Sequence, residues 1–278
     1  MKYALGILNI ALLQLFTRVF SFLFNILILR HSHVETIGIQ SILLDSSLSS
    51  LLFISREHAR TSLLRSNSTC HFINLSFLPL FIGFFISFLI ASFTHEYRSF
   101  VIAYLFCGLL ELSTEPFYII LQTKLEFGTR ASIETFSFFI RCVVLSISSL
   151  SSIENGSISV ESGLFSYCLS QCAYSVTLIF SYIYHFYKRN LLLEVIPNRI
   201  FDRDLFILSW SFFKQGVLKH VLTEGDKFMC LRFIKFDDAG SFAFSNNLGS
   251  LVARILFQPL EDTMRVYFSK SLTVGLFS

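Results

Sequence analysis

Long apolar blocks separated by short polar stretches run through most of this chain. A helix needs about 20 predominantly apolar residues to cross the hydrocarbon of a bilayer. Residues 5–29, 36–55, 72–93, 100–121, 131–150 and 164–187 meet that requirement. A polar stretch with Pro197 follows, and then two weaker blocks at 204–222 and 239–259, giving eight predicted spans. The last two are richer in polar residues, so their neighbours are expected to shield them from lipid. The first block is too long for the apolar core of a signal peptide and lacks a small-residue cleavage site, so it reads as a span that stays.

The predicted fold is therefore all-α, a polytopic membrane helical bundle. Residues 1–187 form a six-helix N-terminal lobe, 188–204 a cytosolic linker, and 205–278 the first two helices of an incomplete second lobe. A six-helix unit followed by the beginning of another is compatible with two-lobed transporters, which are often built from internal repeats.

Composition supports this reading and removes others. Charged residues make up 15% of the chain, against about 25% in ordinary soluble domains, and mean hydropathy is +0.64. So few charges cannot clothe a soluble surface. The 34 Phe residues are spread along the chain as lipid-facing and packing bulk. A net charge of +3 without a basic stripe gives no reason to expect nucleic-acid binding. The six cysteines mostly lie inside apolar blocks without metal-ligand spacing, so they read as buried free thiols. There is no metal motif, no Gly-rich phosphate loop and no nucleophile set around His31 or His33, so neither a cofactor nor an enzymatic centre is expected.

Lys and Arg set the expected orientation. With Lys2 cytosolic, the loops holding Arg56, Arg60 and Arg65, then Lys124 and Arg130, then Lys188, Arg189, Arg199 and Arg203 are cytosolic too. The opposite side has only Arg30 and Arg98 in its first three loops. Of the sequons, Asn67 falls on the cytosolic side and Asn74 at the start of a span. That leaves Asn155 as the expected glycosylation site, in a lumenal loop.

Ionisable residues at membrane depth cost about 2.5–3.5 kcal/mol each on insertion scales, so each is expected to face a cavity or a partner. Gln14, Arg18 and Asn25 share one face of the first helix, and Asp45 lies in the second. Arg56 and Arg60, four apart, suit a pyrophosphate held bidentately, and they also satisfy the positive-inside rule; Glu57 is in place to pair with Arg60. Glu111 and Glu115 repeat the four-residue spacing just before Pro116, which bends helices. They read either as coupling carboxylates or as structural partners of Arg141 or Arg18. In the seventh block Lys214, Lys219 and His220 point to a hydrated, anion-accepting cavity, and Glu224-Gly225-Asp226-Lys227 is expected to close the helix. In the eighth, Asn247, Arg254, Gln258 and Glu261 form one polar stripe. Asp45, Glu111, Glu115, Glu224 and Glu261 are thus the candidate coupling carboxylates.

Several of these residues lie in recognisable strings. Trp210-Ser211-Phe212-Phe213-Lys214-Gln215, Leu218-Lys219, Leu222-Thr223-Glu224-Gly225, the run from Asn246 to Arg254, and Phe257-Gln258-Pro259 closely resemble the signature core of the Rft family. Weaker echoes are residues 14–30, the Arg56-Glu57-x-Ala59-Arg60 element and Glu115-Pro116-Phe117, so the similarity extends to about Lys270.

The resemblance implies an endoplasmic-reticulum membrane protein of asparagine-linked glycosylation. Its cargo would be a dolichol-pyrophosphate-linked oligosaccharide, moved or helped from the cytosolic to the lumenal leaflet. It also implies two helical lobes around a central cavity, as in the multidrug/oligosaccharidyl-lipid/polysaccharide exporter superfamily. Arg18, Arg254, Lys214 and Lys219 would then serve the diphosphate, and Asn25 and Asn247 the sugar hydroxyls. Family chains carry a complete second lobe, and residues 271–278 do not resemble its continuation, which points to a truncated form. A non-transporting accessory protein of the glycosylation machinery and an ion-coupled exporter are the alternatives.

Overall fold

Helices form over the apolar blocks in the computed structural model, which describes residues 33–64, 75–124, 126–154, 157–191, 195, 203–249, 257 and 264. The first predicted span and the sequons at Asn67 and Asn74 lie outside these residues. Val34–Gly38 (α1) passes through a six-residue π-helical segment, Ile39–Leu44, into Asp45–Leu64 (α2). The apolar pattern ends this span at residue 55, whereas the helix runs on for more than two turns. Ala59 and Leu63 stay buried in the core, so an apolar face continues past the charged residues.

Leu78–Phe93 (α3) starts with Pro79 in its first turn, where a missing N–H costs nothing. Its pattern is inverted relative to a soluble helix. Phe81, Phe84, Phe85 and Phe88 point outward while Gly83 is buried. A Cβ on Gly83 would meet Leu112 Cδ1 at 2.3 Å, so small residues face the bundle and bulk faces the hydrocarbon.

The next span, Arg98–Thr123, is broken into Arg98–Leu112 (α4) and Glu115–Thr123 (α5). Pro116 has no N–H to give to a carbonyl one turn earlier. Side chains repair the break: Thr114 donates its N–H and its hydroxyl to the Glu111 carbonyl at 3.1 and 2.7 Å, and Ser113 Oγ donates to the Leu110 carbonyl at 2.6 Å.

Phe127–Ser151 (α6) leads through a short antiparallel hairpin, Ile153–Glu154 (β1) and Ser157–Ile158 (β2), into Val160–Lys188 (α7). The Ser159 hydroxyl caps α7 by accepting the Ser162 N–H. Arg203–Phe233 (α8) and Phe236–Gly249 (α9) complete the described helices.

Val34–Leu63, Arg98–Thr123, Gly128–Ser151 and Val160–Lys188 are long and apolar enough to cross a membrane, and Leu78–Phe93 is a shorter apolar helix. The chain is an all-α polytopic membrane protein.

Two expectations about α8 are corrected. Glu224-Gly225-Asp226-Lys227 does not close the helix, which continues to Phe233. A single interior Gly costs only about 1 kcal/mol, and Lys227 returns an ion pair to Glu224 at 2.7 Å. Nor is α8 shielded on all sides among the described residues. Ser209, Gly216, His220 and Cys230 are buried, whereas Ile207, Trp210, Leu218, Val221 and Leu222 are exposed. Along its length α8 packs chiefly on α2, which covers one face only.

α2 and α8 run antiparallel. His58 meets Phe213, Phe53 stacks on His220, and Ile42 packs with Cys230. At the far end of this seam α1 crosses α9 backbone to backbone: a Cβ on Gly38 would lie 2.1 Å from the Phe236 carbonyl oxygen, and one on Gly240 2.2 Å from that of Val34. No backbone oxygen can move aside as a flexible side chain would. Gly240→Ala is therefore expected to push α9 off α1 and to destabilise by about 1–3 kcal/mol. Thermal unfolding of the detergent-solubilised protein checks this, with the exposed Ser241→Ala as control; equal midpoints for the two variants would contradict the crossing.

Candidate functional site

α2 and the broken α4–α5 span run in the same direction and are tied by two ion pairs, each joining residues 55 apart in sequence. Arg56 Nη1 donates to Glu111 Oε1 at 2.8 Å. Arg60 donates through Nε and Nη2 to the two oxygens of Glu115 at 2.9 and 2.6 Å. Arg56 also lies 3.9 Å from Glu115, so the four groups form a ladder. The equal four-residue spacing on two parallel helices produces this match: each pair sits one turn beyond the last, on the face turned to its partner.

The ladder lies between two apolar layers. On one side are Leu48, Leu51, Leu52, Val101, Leu105 and Leu112, and on the other Ala59, Leu63, Ile119, Leu121, Leu178 and Phe186. Glu115 is almost fully enclosed, its side chain 2% exposed, whereas those of Arg56 and Arg60 are 27% and 21% exposed. The Arg60 guanidinium also lies 3.6 Å above the Tyr118 ring, with Arg130 near the same ring at 4.6 Å. Arg130 belongs to α6 and approaches Glu134 at 3.6 Å. Arg60 and Arg130 thus share the Tyr118 ring, each with a glutamate beside it.

A second polar group sits where the π-helical segment meets α2. Asp45 accepts hydrogen bonds from Gln40 and, at 2.9 Å, from the Tyr104 hydroxyl; Arg141 donates to that hydroxyl at 3.1 Å and stands 4.0 Å from Asp45. A third lies on the α2–α8 seam, where His220 Nε2 is 2.9 Å from Ser50 Oγ, Lys219 approaches the Phe53 ring at 5.7 Å and Lys214 the Trp210 ring at 5.9 Å.

Arg56 and Arg60, expected as anion ligands, and Glu111 and Glu115, expected as coupling carboxylates, are brought together as one ladder. Arg141 is not the partner that Glu111 and Glu115 find. Arg141 turns to Tyr104 and Asp45, and Arg60 turns away from its own helix to Glu115. Lys214 and Lys219 lie on exposed positions of α8, and Glu224 pairs with Lys227. Asn247 lies on α9. Arg18, Asn25, Arg254, Glu261 and Asn155 lie outside the described residues.

Arg130, Tyr118 and Tyr104 were missed as site residues, and Arg141 was expected beside other carboxylates than Asp45. Arg130 seemed a loop residue, but α6 begins four residues before the apolar block. Arg141 carried a usable signal, a charge in the interior of a span. Cys107, Cys142, Cys168, Cys172 and Cys230 are free thiols. Among the described residues no group of three His, Cys, Asp or Glu is placed to hold a metal ion.

The family profile for Rft protein matches residues 3–275 of this chain. The chain belongs to the Rft family. Similar relatives are proteins named Man(5)GlcNAc(2)-PP-dolichol translocation protein RFT1. The one from Xenopus tropicalis is 30% identical over 95% of this chain and 54% of its own length. That from Candida albicans is 29% identical over 96% and 54%, and that from Saccharomyces cerevisiae 24% identical over 94% and 56%. This Rft chain spans about half the length of the curated relatives it matches. No solved structure matches it.

Breaking a buried pair by removing one partner costs about 3–5 kcal/mol, because the other charge stays behind uncompensated. Arg60→Ala and Glu115→Ala are each expected to approach that range in this Rft protein. The double variant should be far less destabilised than the sum of the two. Unfolding midpoints of the four proteins in detergent measure the coupling, and simple additivity would show that the pair does not hold the helices together.

Proposed function

We propose that this chain takes part in moving a dolichol-pyrophosphate-linked oligosaccharide across the endoplasmic-reticulum membrane for protein N-glycosylation. Its role is to bind and pass on the lipid rather than to make or break bonds in it. The observation that carries the reading is the arginine ladder between the apolar layers of membrane-spanning helices, in a chain similar almost throughout to proteins named as dolichol-PP-oligosaccharide translocators. A diphosphate is a planar-donor target: guanidinium forks meet its oxygens in pairs. Arg56 is the more exposed of the two arginines and the one we assign to the ligand. Lys214 and Lys219, on α8, supply further positive charge to the same headgroup.

In a full-length relative, Ala at the position of Arg56 is expected to insert in the membrane and, at protein levels matched by adjusting expression, to fail to restore glycosylation of a reporter glycoprotein in cells depleted of their own Rft protein. Normal reporter glycosylation would remove Arg56 from the assignment.

We also propose that the N-terminus is cytosolic. α7 starts beside α1, where a Cβ on Gly163 would touch Thr36, so the hairpin between α6 and α7 lies at the opposite end of the bundle from Arg56 and Arg60. With the arginines at the cytosolic end, the loop holding Asn155 is lumenal. Asn155→Gln is expected to abolish an endoglycosidase-sensitive gel shift that Asn67→Gln leaves intact; the reverse pattern would invert the orientation.

A further inference from the structure

We infer that the ladder is a charge-exchange device: a bound diphosphate draws Arg56 away from Glu111, and Glu111 takes up a proton from the adjoining water as Arg56 leaves. This rests on the diphosphate reading above and adds how the site responds to its ligand.

The two rungs differ in how firmly they are held. Arg60 is fixed by two hydrogen bonds to Glu115 and by its stack on Tyr118. Arg56 is held to Glu111 by one hydrogen bond at 2.8 Å, and its side chain is the more exposed. An arginine with one bond and a partly exposed edge is the rung that can swing. A diphosphate offers it a charge-assisted pair in exchange for the one it gives up.

Among the described residues no second cation stands beside Glu111 to replace Arg56. Glu111 is 9% exposed at its side chain. The groups facing it are Arg56 and Arg60 from α2, Glu115 across the helix break, and Tyr174 from α7, which lies within electrostatic reach of Glu111, Glu134, Arg56 and Arg141. Arg60 is committed to Glu115, and Arg141 to Tyr104 and Asp45. A carboxylate stranded in an apolar layer is neutralised rather than kept charged. The step forms one O–H bond on Glu111, with the proton supplied by solvent. Arg56 keeps its charge throughout, and no other bond changes.

Titration calorimetry of the full chain in detergent, in two buffers of different ionisation enthalpy, reads the proton count directly. The probe is a short-chain isoprenyl diphosphoryl N-acetylglucosamine, whose diester phosphates carry fixed charge near neutral pH, so any proton taken up belongs to the protein. UDP-N-acetylglucosamine, run in parallel, separates a lipid headgroup from a soluble diphosphate. Uptake of about one proton per isoprenyl ligand bound is expected, lost in Glu111→Gln. That variant should bind on the order of tenfold more tightly, since its Arg56 is already released. Binding by the natural chain without proton uptake would overturn the exchange while leaving the diphosphate reading intact. Absence of binding by both the natural chain and Glu111→Gln would overturn both. Binding of the soluble diphosphate alone would overturn the lipid as the ligand that drives the exchange.

Discussion

Charge held inside an apolar bundle must be answered by charge, and the arrangement of α2, α4, α5 and α6 follows from that constraint. Placing a guanidinium and a carboxylate in a low-dielectric layer is costly for each alone, so the helices that carry them are committed to one register. Slipping α2 by a single residue against α4–α5 would turn Arg56 and Arg60 about 100° off the glutamates. The apolar layers above and below the ladder supply cohesion, and the ladder selects which of many similar apolar packings is adopted. This division of labour matters in lipid, where burying one leucine against another gains little over burying it against a lipid tail.

α2 serves two interfaces at once. The face with Arg56 and Arg60 meets α4 and α5, while Ser50, Phe53 and His58 meet α8 through His220 and Phe213. A shift of α8 along its seam with α2 is thereby transmitted to the helix that carries the ladder. The contacts on the α8 side are lighter, a hydroxyl–imidazole bond and ring stacking, against two ion pairs on the other. α2 thus turns its paired charges to α4 and α5, while its seam with α8 is built from rings and one hydroxyl–imidazole contact. The Gly38–Gly240 crossing adds a tight contact at the end of that seam away from the arginines, so the seam is firmest where the ladder is not.

Much of the membrane architecture was legible from apolar blocks alone, because the need for a continuous hydrocarbon-length run is nearly independent of tertiary contacts. The spans at 131–150 and 164–187 became Gly128–Ser151 and Val160–Lys188 with small shifts at their ends. Residues 56–63 were harder, since a helix that continues through charge does so only when partners wait on another helix, and one sequence does not show which. Arg56, Arg60, Glu111 and Glu115 were each recognised, and so was their spacing; the match of the two spacings across parallel helices was the missing step. The break before Pro116 was readable from proline chemistry. The π-helical turn at Ile39–Leu44 was not, because nothing in a run of Ile, Gln, Ser and Leu distinguishes it from ordinary α-helix. It ends where Asp45 meets Tyr104 and Arg141.

Both backbone irregularities adjoin a polar layer. The π-helical segment ends at Asp45, which meets Tyr104, and the α4–α5 break falls between Glu111 and Glu115. Within hydrocarbon an interrupted hydrogen-bond ladder is expensive unless side chains or a hydrated space satisfy it. Here Ser113 and Thr114 cap part of the break, and the partly exposed arginines lie beside it. A bundle that only had to cross the membrane would gain nothing from two such interruptions. Their placement next to paired charges is what a helix needs if its ends are to move slightly against each other while the charges between them change partners.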